Sequence, residues 1–184
     1  MDGPFWVDLR APHMSADAAS VTLATTNNPI LPTGSYPVLG GNYFGFVGKA
    51  IRMRIWGQMT TGTTPGNLSG NVYWGSNAAA SGTSLCGMAA TALSASQAGI
   101  SWEWDIIVRC RSIGSSGQLI AHGMFNAGVS LISSTLQPIM LPSGSNAAVT
   151  VDLTQNFVIS PQLARSGSTA ESLIVHEMTW EALN

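Results

Sequence analysis

Between Ile100 and Ser112 the chain reads ISWEWDIIVRCRS, and polar and apolar side chains alternate residue by residue. That two-residue period is the mark of a strand with one buried and one solvated face. Trp102, Trp104, Ile106, Val108 and Cys110 fall on one side, and Glu103, Asp105, Arg109 and Arg111 on the other. The turn IGSSGQ follows, and Leu119–Phe125 returns as a hairpin partner. The same period recurs in GKAIRMRIWGQM, where Ile51, Met53 and Ile55 interleave with Arg52 and Arg54.

Other segments add shorter strands. Tyr43–Val47, Lys49–Met59, Asn71–Gly75, Gly128–Ser133, Val149–Leu153, Phe157–Ile159 and a long final run over Ser172–Leu183 all carry β-forming residues. Thr60–Gly70 is a loop by composition, and residues 76–99 fit either a strand or a short helix. With no recurring helical segments, a βαβ crossover has no room. The expected fold is all-β, a jelly-roll-like antiparallel β-sandwich spanning 41–184. Residues 1–40 differ: five prolines break them up, and only Ser20–Thr25 alternates, so the reading is an extended N-terminal arm with one short strand. Phe5, Trp6, Val7 and Leu9 make an apolar cluster on that arm, expected to dock on another surface.

Composition decides what such a sandwich meets. Charged residues are 9% of the 184, and the formal net charge is −2. A surface so poor in charge favours association. Phosphate binding needs clustered cations, and the densest basic run is Lys49, Arg52 and Arg54, with four carboxylates on other strands to neutralise it. Nucleic acid is therefore not an expected partner. Nor is a membrane, because no apolar stretch has spanning length. The opening MDGPFWVDLRAPHM has no uninterrupted apolar core, so synthesis in a cytoplasm is expected, with Cys86 and Cys110 as buried thiols.

The search for chemistry is negative. His13, His122 and His176 share no metal-ligand spacing, and His176–Glu177 lacks the second histidine of a zinc motif. His176, aligned with Ile174 and Met178, is expected in the core or an interface. Ser69 lies outside any nucleophile elbow, and no phosphate-cradling glycine motif occurs. No cofactor, metal site or catalytic residue is expected. Trp56, Tyr73 and Trp74 border polar loops and are the candidates for an exposed aromatic contact to a sugar.

Two arginines one strand-step apart pose their own question. One answer is a ladder of ion pairs across one sheet, with Arg52 and Arg54 facing Glu103, Asp105, Glu177 and Glu181. The other places that ladder between subunits, where charge fixes register and partner choice.

Three stretches together carry a resemblance. GKAIRMRIWGQMTTGTTPGNLSGNVYWG joins two strands through a Thr, Gly and Pro loop. SWEWDIIVRCRSIGSSGQLIAHGMF is a Trp-rich hairpin, and VTVDLTQNFVISPQLARSGSTAESLIVHEMTWEAL leads from a VDLT strand to a closing strand. In this order they resemble small virion structural proteins of tailed bacteriophages, of the head-decoration or minor structural type. The resemblance implies a homo-oligomer, often a trimer, attached to the major capsid protein or other virion proteins. It implies localisation in the virion and no enzymatic activity. A receptor- or carbohydrate-binding module on a tail, neck or head fibre is the alternative.

Overall fold

The structure, a computed structural model, describes residues 17–78, 82–132 and 137–183. Two antiparallel sheets face each other. The larger, sheet A, runs β1 (Val21–Thr22), β11 (Ser172–Leu183), β3 (Ala50–Thr60), β6 (Ile100–Ser112), β7 (Gly117–Ala127) and β8 (Ile139–Leu141), with β9 (Val149–Val151) also pairing with β7. Sheet B runs β2 (Asn28–Pro29), β10 (Val158–Arg165), β4 (Asn67–Gly75) and β5 (Thr83–Ala92). The chain is thus an all-β, jelly-roll-like antiparallel sandwich, as the alternation in β3 and β6 predicts.

The core lies between the sheets. Ile51, Met53, Ile55, Trp102, Trp104, Ile106 and Val108 point inward from sheet A, every one at most 2% exposed. Leu68, Val72 and Leu163 meet them from sheet B. Trp104 reaches across to the opposite sheet: a Cβ on Gly70 would lie 2.9 Å from its ring, so only glycine fits beneath that indole. Cys86 and Cys110 are both free and buried.

Several elements depart from the sequence reading. Tyr43–Val47 is not a strand. Tyr43 N–H donates to Gly40 O, Lys49 N–H donates to Phe46 O, and Gly48 takes a φ of 96°, so the segment turns. Tyr43 and Phe44 instead pack on Phe157, with Phe44 stacked at 5.9 Å. The expected loop Thr60–Gly70 ends early, because β4 starts at Asn67. Residues 76–99 hold the strand β5. Residues 128–132 form a turn with one isolated bridge, Leu93 to Ile132, in place of the expected strand.

β10 is longer than the Phe157–Ile159 expected, and is buried on both faces down to Ala164. Pro161 sits in its middle, where a missing N–H ought to break a ladder. The loss falls on the β2 side: Pro161 O accepts from Tyr36 Oη at 3.2 Å and from Ile30 N at 3.4 Å, while pairing with β4 continues through Val72. Ser160 and Gln162, on the outer side of this strand, both donate to Ala78 O at 3.3 Å, so their polarity is satisfied under a covering segment.

The described part of the expected arm, from residue 17 to 40, is woven into the sandwich. β1 pairs with β11 and β2 pairs with β10. Leu23, Ile30, Leu31, Tyr36 and Leu39 belong to the same core as the strands. A second anchor is the buried ion pair at the end of β10: Arg165 Nε lies 3.2 Å from Glu171 Oε2 and donates to Leu23 O at 2.6 Å. Thr169 Oγ1 donates to Glu171 Oε1 at 2.8 Å.

Candidate interaction face

The outer face of sheet A gathers the charge. Four of the chain's seven cationic residues and four of its nine acidic ones lie there: Arg52, Arg54, Arg109 and Arg111, with Glu103, Asp105, Glu177 and Glu181. The register sets them in rows across the strands. One row runs Glu181, Arg52, Ile107 and His122; the next runs Thr179, Arg54, Asp105, Met124 and Met140; a third runs Glu177, Trp56, Glu103 and Asn126. The strict alternation of β3 and β6 puts these residues outward because their neighbours fill the core.

Within this face the two arginines are not equivalent. Arg52 grips Asp105 at two points, Nε to Oδ1 at 2.9 Å and Nη2 to Oδ2. That hydrogen bond raises the already high pKa of the guanidinium, and the fields of Asp105, Glu181 and Glu103 act in the same sense against partial burial. Arg54 approaches the same carboxylate only at 3.7 Å. Its Nε is buried and has no hydrogen-bond partner among the described residues. The ion-pair ladder therefore exists within the chain at Arg52, and it is incomplete at Arg54.

The apolar flank of this face was not singled out in the sequence. Met124 is 37% exposed and Met140 is 58% exposed, and they stand opposite each other on β7 and β8. Met140 lies in a three-residue strand between Pro138 and Pro142, too short for any periodicity to reveal.

The remaining site candidates separate. Trp56 lies on the charged face of sheet A, half-buried between Glu177 and Glu103. Tyr73 lies on the outer side of sheet B, where its hydroxyl accepts from Asn27 Nδ2 at 2.8 Å. Trp74 is not exposed: it points into the core and stacks on Phe157 with centroids 3.7 Å apart. Strand alternation requires this, since Tyr73 outward forces Trp74 inward. The three aromatics do not converge on one surface. Phe5, Trp6, Val7 and Leu9 lie outside the described residues.

His176 also departs from expectation. A β-bulge between Val175 and Glu177 inserts it as an extra residue, which breaks its alignment with Ile174 and Met178. It is part-exposed, with Nδ1 2.7 Å from Asp17 Oδ1. Among the described residues no group of three His, Cys, Asp or Glu is placed to hold a metal ion. No helix among them is long and apolar enough to cross a membrane.

No family model matches the chain, and no curated protein matches it. Among solved structures, the crystal structure of a polysaccharide lyase of family 18, aly-SJ02 r-CATD, is similar over 94% of this chain and 92% of that one. Identity is 5% and the TM-score is 0.30, a likeness that carries no argument about fold or activity.

Proposed function

We propose that this chain is a bacteriophage virion structural protein, a capsid decoration or stabilising protein that binds the capsid lattice as an oligomer. The observation that supports it is the distribution of charge. Half of the ionic side chains share one sheet face, and the rest of the sandwich is largely neutral, with Val38, Phe46, Val47 and Ile113 exposed at 51–65%. Such a molecule suits a component whose neutral and apolar surfaces are covered on assembly. The reading gives the chain no enzymatic role, and its place is the virion after synthesis in the host cytoplasm.

In this reading the partner is the major capsid protein or another virion protein, and Phe5, Trp6, Val7 and Leu9 contact it. Stabilisation follows from mass action, since a protein that binds only the assembled lattice shifts its stability by RT ln(1 + [L]/Kd). The test is co-sedimentation of the purified chain with capsids produced without it. Saturable binding together with a higher capsid melting temperature is the expected result. Absence of binding at micromolar concentration would overturn the reading. Truncation of residues 1–16 tests the aromatic cluster without removing Leu23, Ile30, Leu31, Tyr36 and Leu39 from the core.

A further inference from the structure

We infer that the outer face of sheet A pairs with the same face of a second copy, the acidic strand β11 of each lying against the basic strand β3 of the other. The inference rests on the proposal that the chain is an oligomer, and it needs no capsid partner. Its starting point is charge left over within the chain. Asp105 is taken up by Arg52, which leaves Arg54 with one approach at 3.7 Å and a side chain 36% exposed on the outer face. On β11, Glu177 stands opposite Trp56 and not opposite a cation. Glu181 stands opposite Arg52, whose guanidinium is already held by Asp105 on its other side. Both glutamates are exposed.

The outer face of β3 thus carries cations and no anions, and β11 presents Glu177 and Glu181, its one basic side chain, His176, being held by Asp17. The two strands are direct neighbours. A two-fold axis running along the strands, between β11 and β3, lays β11 of one copy over β3 of the other and repeats the contact in reverse. One patch then complements itself, which is the condition for an isologous contact. Glu181 meets Arg52 across the axis, and Glu177 reaches the Arg54 side of Trp56.

The area is sufficient. β11, β3 and β6 span about 14 Å by about 36 Å at ordinary strand spacing and rise, and the six residues from Asp17 to Thr22 add about 5 Å by about 20 Å, or about 600 Å² of flat face per copy. Specific interfaces begin at about 600 Å² per partner. Met124 and Met140, two and three strands beyond β3, stay outside the contact.

Sedimentation velocity of the full chain at low and high salt tests this, with Arg54→Glu as one variant and Glu177→Arg as the other. Wild type should sediment as two copies at low salt and dissociate as salt rises. Each reversed protein should self-associate at least about tenfold more weakly, and a one-to-one mixture of the two should recover association, because both halves of the contact then regain opposite charge. Arg54→Gln, which does not repel Asp105, should weaken association with an unchanged melting temperature and guards against misfolding of the Glu variant. A single-copy mass for wild type at its solubility limit, or a mixture that stays dissociated while both proteins are folded, overturns the inference. So does a three-copy mass, because a shared face pairs only two copies. A single-copy protein that still binds capsids would sink this contact and leave capsid binding standing without the oligomer.

Discussion

Arg52 holds Asp105 from the adjacent strand of the same chain, with Nε 2.9 Å from Oδ1 and Nη2 on Oδ2, while Arg54 stands 3.7 Å from that carboxylate. One anion between two cations makes the three residues unequal in what they contribute. Asp105→Asn should cost most, about 1–2 kcal/mol, because it leaves two guanidinium groups facing each other. Arg52→Ala should cost less, about 1 kcal/mol, since Arg54 can take the vacated carboxylate and solvent screens the pair. Arg54→Ala should cost least. Urea unfolding of the three variants checks the order, and equal costs for the two arginines would contradict the assigned asymmetry.

The Arg165–Glu171 pair is of a different kind because Glu171 is fully buried. Removing one partner of a buried pair strands the other charge. Glu171→Ala should therefore destabilise by about 3–5 kcal/mol. The double replacement Arg165→Met with Glu171→Leu should cost less than the single change. Chemical denaturation of both variants decides it; a double mutant worse than the single would mean that the hydrogen bonds from Arg165 to Leu23 O and Gly167 O dominate.

Trp74 and Trp56 should part company under mutation. Trp74→Ala empties the space against Phe157 and should cost about 3–5 kcal/mol. Trp56→Ala, on the outer face, should cost under about 1 kcal/mol. A melting curve for each is enough. A Trp74→Ala protein as stable as wild type would show that its stacking contributes nothing.

The thiols and buried phenols give a pH prediction. Burial pushes the Cys86 thiol from 9.0 up to about 12, and raises Cys110 as well. Burial also raises Tyr36 and Tyr43 above 10.0. Each of these groups keeps its proton longer when folded, so its contribution is complete below the unfolded value and is lost as pH climbs through the folded one. Stability should fall steadily from about pH 9 upward. Lys49, lowered by partial burial, acts in the opposite sense over part of that range. Folded protein at pH 8 should resist iodoacetamide at both cysteines and react fully once unfolded. Rapid alkylation of native protein would contradict the buried assignment.

Much of sheet A was legible because β3 and β6 have one wet face and one dry face, and that asymmetry writes a period of two into the sequence. Arg52, Arg54, Glu103 and Asp105 could be placed on a common face for the same reason. β10 could not be read in this way. Both of its faces are covered, so Val158–Ala164 shows no alternation, and Pro161 argues against a strand until its missing N–H is found on the side of a two-residue partner. Trp74 was misjudged by its neighbourhood: proximity to a polar loop says less than the parity set by Val72 and Tyr73. His176 was misjudged because a bulge shifts the phase of β11 and leaves no mark in composition. The difference between Arg52 and Arg54 depends on which guanidinium reaches Asp105 first, and no spacing encodes that.

The most direct test of the account is the copy number of this chain in purified virions, measured by quantitative mass spectrometry against the major capsid protein. A number in fixed proportion to the capsid protein is the predicted result, as for a component that decorates the lattice. Absence from purified particles, or a few copies per particle, would contradict lattice decoration, and a few copies would place the chain at the tail or neck.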